Sequence, residues 1–478
     1  MTRAQLAGVL SYGAYLPYHR LDRVAIANAL GAPAGHGTRA VASFDEDATS
    51  MAVEAGRVAL AAAASGTTVG GVLFATTSPP YADKTNATAI HAALRLPSQA
   101  VAIDLVGSVR NATSALRMAA EGPGTRLVVS ADVRVGRPGS VDEREGGDAA
   151  AAFLIGTAGE TLADFIGVGA ATVEVLERWR LPTDVTSSMW EERFGEHAYA
   201  SLVTDAATDA IKQAGVAADA VDRWVVTGLH TRAVRAAAKA LASFGGDVAA
   251  DLTGAVGNTG AAHPGLALAA ALDEAEPGHV VGLVSLADGA DVLLLRVNDA
   301  ITDFRGRPGR TVVQQVAAGN AALPYTTYLT WRGQLDREPP RRPDPKRPAP
   351  PPTLRNVDWK FGLVATKCTA CGTTTLPAQR VCVACHAVDQ MEPAPMADVA
   401  ATVATYTIDR LTYSLSPPVV AAVLDFEGGG RFTCELTDVD PAEVEIGLQV
   451  EMTFRRLYTS AGVHNYFWKA RPVRGAQA

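Results

Sequence analysis

The chain has 478 residues, 48% of them hydrophobic and 19% charged, enough for about three domain equivalents at roughly 150 residues each and for a large buried core. A formal net charge of -8 supplies no basic field for phosphate backbones or anionic lipid, which sets aside nucleic acid and membrane surfaces as partners. Met1 to Tyr12 carries no apolar stretch behind a basic start, and apolar runs elsewhere are soon broken by Asp, Gly or Arg, so a cytoplasmic protein is expected.

In chain order, a helix-like run SMAVEAGRVALAAAAS from Ser50 leads into a strand-like GVLFATT from Gly71, and Pro123 and Gly124 open the strand PGTRLVVSADV. The same grammar returns later. SLVTDAATDAIKQAGV from Ser201 leads into RWVVTGLH, and Pro277 and Gly278 open PGHVVGLVSLAD, an offset of 154 residues from Pro123. The expectation is an α/β unit built of two similar halves around one shared pocket, although any doubly wound sheet repeats helix and strand in this manner. One residue short of that offset Thr77 stands opposite His230, and on it the stretch Asp104 to Leu116 stands opposite the helix that opens after Asn258. Helix N-termini so placed offer partial positive charge to an anion.

The segment Asp336 to Thr353, DREPPRRPDPKRPAPPPT, is proline-rich and charged, and is expected to run extended between two folded units. Beyond it lie all five cysteines. Cys368 and Cys371 form one CxxC pair and Cys382 and Cys385 a second, ten residues on, a spacing that suits two knuckles holding one tetrahedral zinc. Four thiolates leave no open coordination position, so the metal would hold the fold and not activate water. His386, directly after Cys385, is not expected to substitute for a cysteine ligand, and Cys434 reads as a core residue. VATYTID, PPVVAAVLDFE, RFTCELTD, GLQVEMTFRRLY and NYFWKARP then read as five strands of a small barrel. Its Tyr406, Tyr413, Tyr458, Tyr466, Phe467, Trp468, Arg455 and Arg456 would suit a single-stranded nucleic acid groove, but aromatics in strands are more often core and the chain is acidic.

Seven strings in the first unit resemble the HMG-CoA synthase branch of the thiolase superfamily, which also holds the ketoacyl synthases. They are SYGAYLPYHR, FDEDATSMAVEAGRVAL, FATTSPPYADKTNA, GGDAAAAFLIG, MWEERFGEHAY, HTRAVRAAAKAL and GNTGAAHPGLALAAAL. The second unit resembles the zinc-ribbon/OB-fold proteins that accompany thiolases and HMG-CoA synthases. Together these resemblances imply a duplicated thiolase-type fold in five αβαβα layers over residues 1–320 and a docking helix and linker over 321–357. A zinc ribbon over 358–392 and an OB-type barrel over 393–475 would follow. They also imply a coenzyme A thioester as substrate, a homodimer and, in one reading, a separate thiolase partner.

Carried over position by position, the resemblance gives His230 and Asn258 as the groups that polarise the thioester carbonyl. It puts Thr77 where the family has a general acid/base glutamate and Val109 where it has the acylated cysteine. No register slip restores the thiol, since the first unit contains no cysteine. Ser108 lies one residue away, rotated by about 100° on a helix. Covalent capture of an acyl group is therefore lost, whereas stabilisation of a thioester enolate is kept. That inventory suits an aldolase, retro-aldolase or decarboxylase on acyl-CoA. The alternatives are a non-catalytic acyl-CoA-binding scaffold for a separate thiolase and, third, an HMG-CoA synthase-like condensing enzyme. The general base stays open among His230, His263, Tyr81 and Tyr199, with Asp104 and Asp148 read as helix-entry or turn residues.

Overall fold

The computed structural model describes residues 6–474 except 33–34, 191, 306–310 and 344, with backbone alone for 192–198. Part of the MWEERFGEHAY string, and Asp344 of the proline-rich segment, therefore lie outside the described residues. Contacts divide the chain into two compact units. The first comprises Met1–Ala42, Met51–Thr88 and Pro97–Tyr325; the second comprises Ser43–Ser50, Ala89–Leu96 and Thr326–Ala478. Among the described residues no helix is long and apolar enough to cross a membrane.

The first unit has ten principal strands: β1 (Gly8–Tyr15), β2 (Gly71–Thr76), β3 (Val101–Val106), β4 (Arg126–Asp132), β5 (Ala149–Gly156), β6 (Ala163–Thr172), β7 (Arg223–Gly228), β8 (Asp247–Val248), β9 (Val280–Leu286) and β10 (Gly289–Val297). Their order across the sheet is β3-β2-β4-β5-β1-β6-β10-β9-β7-β8. Each half thus repeats one plan, with its second strand parallel to its third and fourth and its fifth antiparallel to its first and fourth. The halves join where β1 meets β6 at Gly8↔Asp164 and Val9↔Ala163.

Six helices complete the repeat: α1 (Ala48–Ala61), α2 (Ala87–Ala93), α3 (Asn111–Glu121), α4 (Glu192–Ala214), α5 (Thr231–Leu241) and α6 (Ala262–Glu274). The apolar face of α3 buries Ala112, Ala115, Leu116, Ala119 and Ala120, while α6 is buried on nearly every side. These two helices pack against each other and against strands of both halves, so they form the middle layer of the αβαβα sandwich. Small residues set the spacing: a Cβ at Gly169 would come 1.9 Å from the Ala206 carbonyl oxygen of α4.

The second unit contains a three-stranded ribbon, β11 (Val364–Cys368), β12 (Thr374–Thr375) and β13 (Met391–Pro395). A closed barrel follows, made of β14 (Ala401–Asp409), β15 (Val419–Phe426), β16 (Arg431–Leu436), β17 (Gln449–Ser460) and β18 (Val463–Pro472), in the order β14-β15-β16-β18-β17. Among its described residues the proline-rich segment has no regular structure until the short helix Pro350–Arg355, and Tyr458 fastens it by donating to the Lys346 carbonyl at 3.1 Å. Phe454 and Trp468 lie inside the barrel with ring centroids 5.3 Å apart, and Arg455 is fully buried. That arginine is not a groove cation.

Arg455 instead meets Asp45 at 3.2 Å, Glu46 at 3.0 Å and Asp438 at 2.6 Å, while Lys469 meets Asp45 at 3.0 Å and Glu435 at 2.8 Å. Burial pushes the Asp45 carboxyl up, but Lys469, Arg455 and the Ser43 hydroxyl outweigh it and hold Asp45 far below the usual carboxylate range. Burial likewise opposes the Lys469 charge, and Asp45 and Glu435 overcome it, so its pKa rises. A depressed acid stabilises the fold above its unfolded pKa of about 4 and loses that contribution as pH falls. A raised lysine stabilises below its ordinary 10.5 and loses its contribution as pH climbs past that value.

In the ribbon, the Cys368–Cys385 and Cys371–Cys382 sulfurs are 3.7 and 3.5 Å apart, and all four lie within 4.8 Å of one another. Tetrahedral zinc with bonds of about 2.3 Å needs sulfurs about 3.8 Å apart, so the donor set fits. Gly372 follows the first knuckle with φ +78°, its N–H donating to the Cys368 carbonyl at 2.8 Å. His386 occupies the matching place in the second knuckle, with φ +60° and its N–H on the Cys382 carbonyl at 3.1 Å. Its backbone role explains its position without any ligation.

Two outcomes are expected. Asp45→Asn leaves buried cations without their partner and costs about 3–5 kcal/mol at pH 7 in denaturant unfolding of the full chain, a difference that shrinks below about pH 4. Metal analysis gives one zinc per chain, lost in Cys382→Ser and kept in His386→Gly, which relieves a left-handed backbone worth about 1 kcal/mol. Zinc loss in His386→Gly would make the imidazole a ligand.

Candidate functional site

The ends of β2, β4 and β7 and the start of α6 converge in the first unit. β2 closes on Thr76, and Thr77 and Ser78 follow it, while β7 closes on Gly228 two residues before His230. The strand starts at Gly71 and Arg223 are 152 residues apart, so the duplication puts His230 within one residue of Thr77's counterpart.

The convergence is organised by Asp132, the last residue of β4, whose carboxylate is fully buried. Its Oδ1 accepts from the Thr76 hydroxyl at 2.9 Å, the Thr77 N–H at 2.6 Å and the Ser78 hydroxyl at 3.1 Å. Its Oδ2 accepts from the Thr77 hydroxyl at 2.8 Å and the Ala261 N–H at 2.7 Å. Five donors saturate the roughly four lone-pair sites of a carboxylate. Asp132 therefore ties the strand end of one half to the helix start of the other. Gly260, with φ +60°, is held so close that a Cβ would lie 2.2 Å from Asp132 Oδ2.

Asn258 is fixed from every side. Its N–H donates to the Glu145 carbonyl at 2.6 Å, and its own carbonyl accepts from the Gly147 N–H at 2.9 Å. The carboxamide orientation follows from two bonds: Nδ2 donates to the Gly228 carbonyl at 2.7 Å and Oδ1 accepts from the Gly260 N–H at 3.1 Å. A primary amide has two N–H donors, so one remains for a ligand. Gly146, Gly147 and Gly257 permit this crossing, since a Cβ at Gly147 would lie 1.9 Å from the Val256 carbonyl oxygen.

His230 caps the N-terminus of α5 from an extended backbone, without a side-chain cap bond. Its Nδ1 is buried with no hydrogen-bond partner, while the residue as a whole is half-buried. Nε2 is thus the nitrogen available to a ligand. His230 and Asn258 belong to one constellation, linked through Gly228.

Val109 is 5% exposed and lies one turn before Ala112, which packs with Ala75 of β2 and Ala261. The position expected for the nucleophile is thus filled by an aliphatic side chain at the same convergence. Ser108 turns elsewhere and donates to Asp288 at 2.9 Å. Arg110 makes a bidentate pair with Asp291 of β10 at 2.9 and 2.8 Å.

The other sequence candidates have structural employment. His263 is buried, its Nδ1 accepting from the Thr259 N–H at 3.4 Å, and burial pushes its pKa down to about 4. Tyr199 is buried and donates to Glu177; burial and that carboxylate hold its proton on far above the usual phenol range. The Tyr81 N–H donates to the Asn86 side-chain oxygen at 3.1 Å. Asp104 lies within β3 and does not open α3; it accepts from the N–H groups of Asn86 and Ala87 at 2.6 and 2.7 Å at the start of α2. Asp148 sits at the entry to β5, accepting from the Ala42 and Arg134 N–H groups at 2.7 Å each, with Arg39 at 3.5 Å. The acidic FDED string belongs to the buried ion cluster of the second unit and adds nothing to this site. Sequence reading missed Asp132 and Glu145. An Asp closing an apolar strand was the available signal for the first.

Family models match residues 362–392, as the rubredoxin-like zinc ribbon domain of ChsH2, and 395–455, as the C-terminal OB-fold domain of ChsH2. Among whole proteins, the hydroxymethylglutaryl-CoA synthase of Aeropyrum pernix is 30% identical over 344 residues, 69% of this chain and 95% of that protein. That of Archaeoglobus fulgidus is 29% identical over 346 residues, 69% of this chain and 99% of that protein. The structure of MvaS in complex with 3-hydroxy-3-methylglutaryl coenzyme A superposes with TM-score 0.57 at 17% identity, covering 73% of this chain and 96% of that one. FabH of Pseudomonas aeruginosa gives 0.54 at 20%, covering 62% and 99%. At these structural identities the likeness is one of fold, and the sequence match carries the kinship: the chain belongs to the hydroxymethylglutaryl-CoA synthase family, with a ChsH2-type zinc ribbon and OB-fold domain on the same polypeptide.

Proposed function

We propose that this protein makes or breaks a carbon–carbon bond in an acyl-CoA without an acyl-enzyme, as an aldolase, retro-aldolase or decarboxylase. The carrying observation is the pairing of an anchored Asn258 carboxamide holding one spare N–H with a His230 ring whose Nδ1 is buried, beside a position closed by Val109. Two preorganised donors suit a thioester oxygen that gains negative charge as an enolate forms, and no sulfur is needed for that step. His230 and Asn258 hold the oxyanion; the strand ends fixed by Asp132 keep the donors in place. The four ribbon cysteines suit a structural zinc that takes no part in these roles.

Loss of both the Val109 and Thr77 counterparts favours a second reading, a non-catalytic acyl-CoA-binding scaffold for a separate thiolase. The condensing reaction named for the synthase relatives ranks third, since it calls for a nucleophile that the first unit lacks. A cytoplasmic homodimer completes the proposal. β3 is the edge of the sheet, and its Val101, Ile103 and Val106 are 48%, 40% and 48% exposed, which suits pairing with β3 of a second copy.

Single-turnover assay of a β-hydroxyacyl-CoA panel is expected to show His230→Ala and Asn258→Ala slowed by about 10²–10³-fold, with no acyl adduct in the intact mass of the wild type. Turnover unchanged in His230→Ala removes the assigned role, and activity that appears only with a co-purified thiolase decides for the scaffold. Light scattering is expected to give a dimer that Ile103→Lys converts to monomer; a dimer unaffected by that change places the interface elsewhere.

A further inference from the structure

We propose that Glu145 is the general acid/base of this site, standing in for the glutamate that Thr77 replaces; the inference rests on the enolate reading above. Four observations exclude the nearer alternatives. The Thr77 hydroxyl is committed to Asp132, and Asp132 is saturated by five donors without exposure. His263 is buried with Nδ1 facing Thr259, and Tyr199 is locked to Glu177.

Glu145 differs from all of these. It ends the short helix Val141–Glu145, whose Ser140 cap and Gly146 N–H to Asp142 carbonyl bond fix the backbone. Its carbonyl takes the Asn258 N–H at 2.6 Å, and the next residue, Gly146, forms an isolated β-bridge with Asn258. Its carboxylate reaches the other catalytic loop: Oε2 accepts from the hydroxyl of Thr231, the residue after His230, at 3.4 Å. A bond that long and exposed leaves the carboxylate lone pairs free to take a proton. Arg23, from the helix Arg23–Leu30, shares the neighbourhood: burial lowers its pKa, while Glu145 and Asp251 support its charge and Arg39 and Arg144 oppose it. Glu145 thus touches the Asn258 loop through its backbone and the His230 loop through its side chain.

The proton accounting closes without any further reactant. In the synthetic direction the carboxylate removes a Cα proton from the thioester, the C–H electron pair moves into the enolate held by His230 and Asn258, the enolate attacks the carbonyl carbon of a ketone or aldehyde, and protonated Glu145 gives its proton to the resulting alkoxide. In cleavage it removes the β-hydroxyl proton, the Cα–Cβ bond breaks, its electron pair forms the same enolate, and protonated Glu145 returns the proton to Cα. A ketone or aldehyde and a shortened acyl-CoA leave.

Wash-in of deuterium at Cα of acetyl-CoA in D₂O, followed by mass spectrometry, reads this step without knowledge of the natural acyl group. Wild type is expected to exchange, Glu145→Gln to slow exchange by about 10²–10⁴-fold with acetyl-CoA affinity within about twofold, and Glu145→Ala to recover activity with added formate, which requires a folded site. Exchange lost in His230→Ala but kept in Glu145→Gln overturns the role of Glu145 and leaves the oxyanion reading standing. Loss in Glu145→Ala that Gln restores and formate does not also overturns it, because the side chain is then only structural. No exchange by wild type, or exchange indifferent to His230→Ala, sinks the enolate reading itself.

Discussion

The fully buried carboxylate of Asp132 is the constraint on which the site depends. An unpaired buried charge is costly, and one that accepts several hydrogen bonds becomes a rigid node. Here four donors come from Thr76, Thr77 and Ser78 and one backbone donor comes from Ala261, so a single side chain sets the distance between the two halves of the duplication. The strain this imposes is absorbed by Gly260, whose positive φ and close approach exclude a side chain. With the Gly260 N–H so placed, it can hold Oδ1 of Asn258, which aims the amide at Gly228 and leaves one N–H for a ligand. The chain of causes runs from one carboxylate to the direction of the Asn258 carboxamide.

A second buried ionic centre governs the other unit and follows a different logic. Arg455 and Lys469, on the strand faces opposite Phe454 and Trp468, are buried together with Asp45, Glu46 and Asp438, and their desolvation consumes much of what their attraction returns. What such a cluster secures is register. The peptide 43–50 has few apolar groups to pack, and its place is defined by Asp45 and by the Asp47 carboxylate that accepts from Tyr466 at 2.7 Å. Hydrophobic burial alone would leave this segment free to slide.

Features that depend on short sequence distances were readable from the chain alone. The four cysteines declare their metal through spacing, and the five barrel strands emerge from alternation and turn residues. The duplicated plan follows from a repeated order of helix and strand, and His230 and Asn258 follow from resemblance. What stayed hidden depends on pairs far apart in sequence. Asp132 meets Ala261 across 129 residues and Arg455 meets Asp45 across 410, and no local pattern distinguishes these side chains from surface carboxylates and cations. Asp104 was misplaced for the same reason: its partners, Asn86 and Ala87, lie on a neighbouring element. Glu145 escaped because it lies one residue outside the GGDAAAAFLIG string that carried the resemblance.

The exchange of a thiol for Val109 changes more than the nucleophile. A cysteine at this point would be a polarizable, ionisable neighbour to any enolate, and its thiolate would repel the developing oxyanion. Valine removes that repulsion. Being 5% exposed, it is itself withdrawn from water. In a lower local dielectric, hydrogen bonds from His230 and Asn258 to a charged oxygen gain strength, whereas those to a neutral carbonyl gain less. Under the enolate proposal, an aliphatic Val109 would therefore sharpen the preference for the charged over the neutral thioester, which is the discrimination an aldol or retro-aldol enzyme needs.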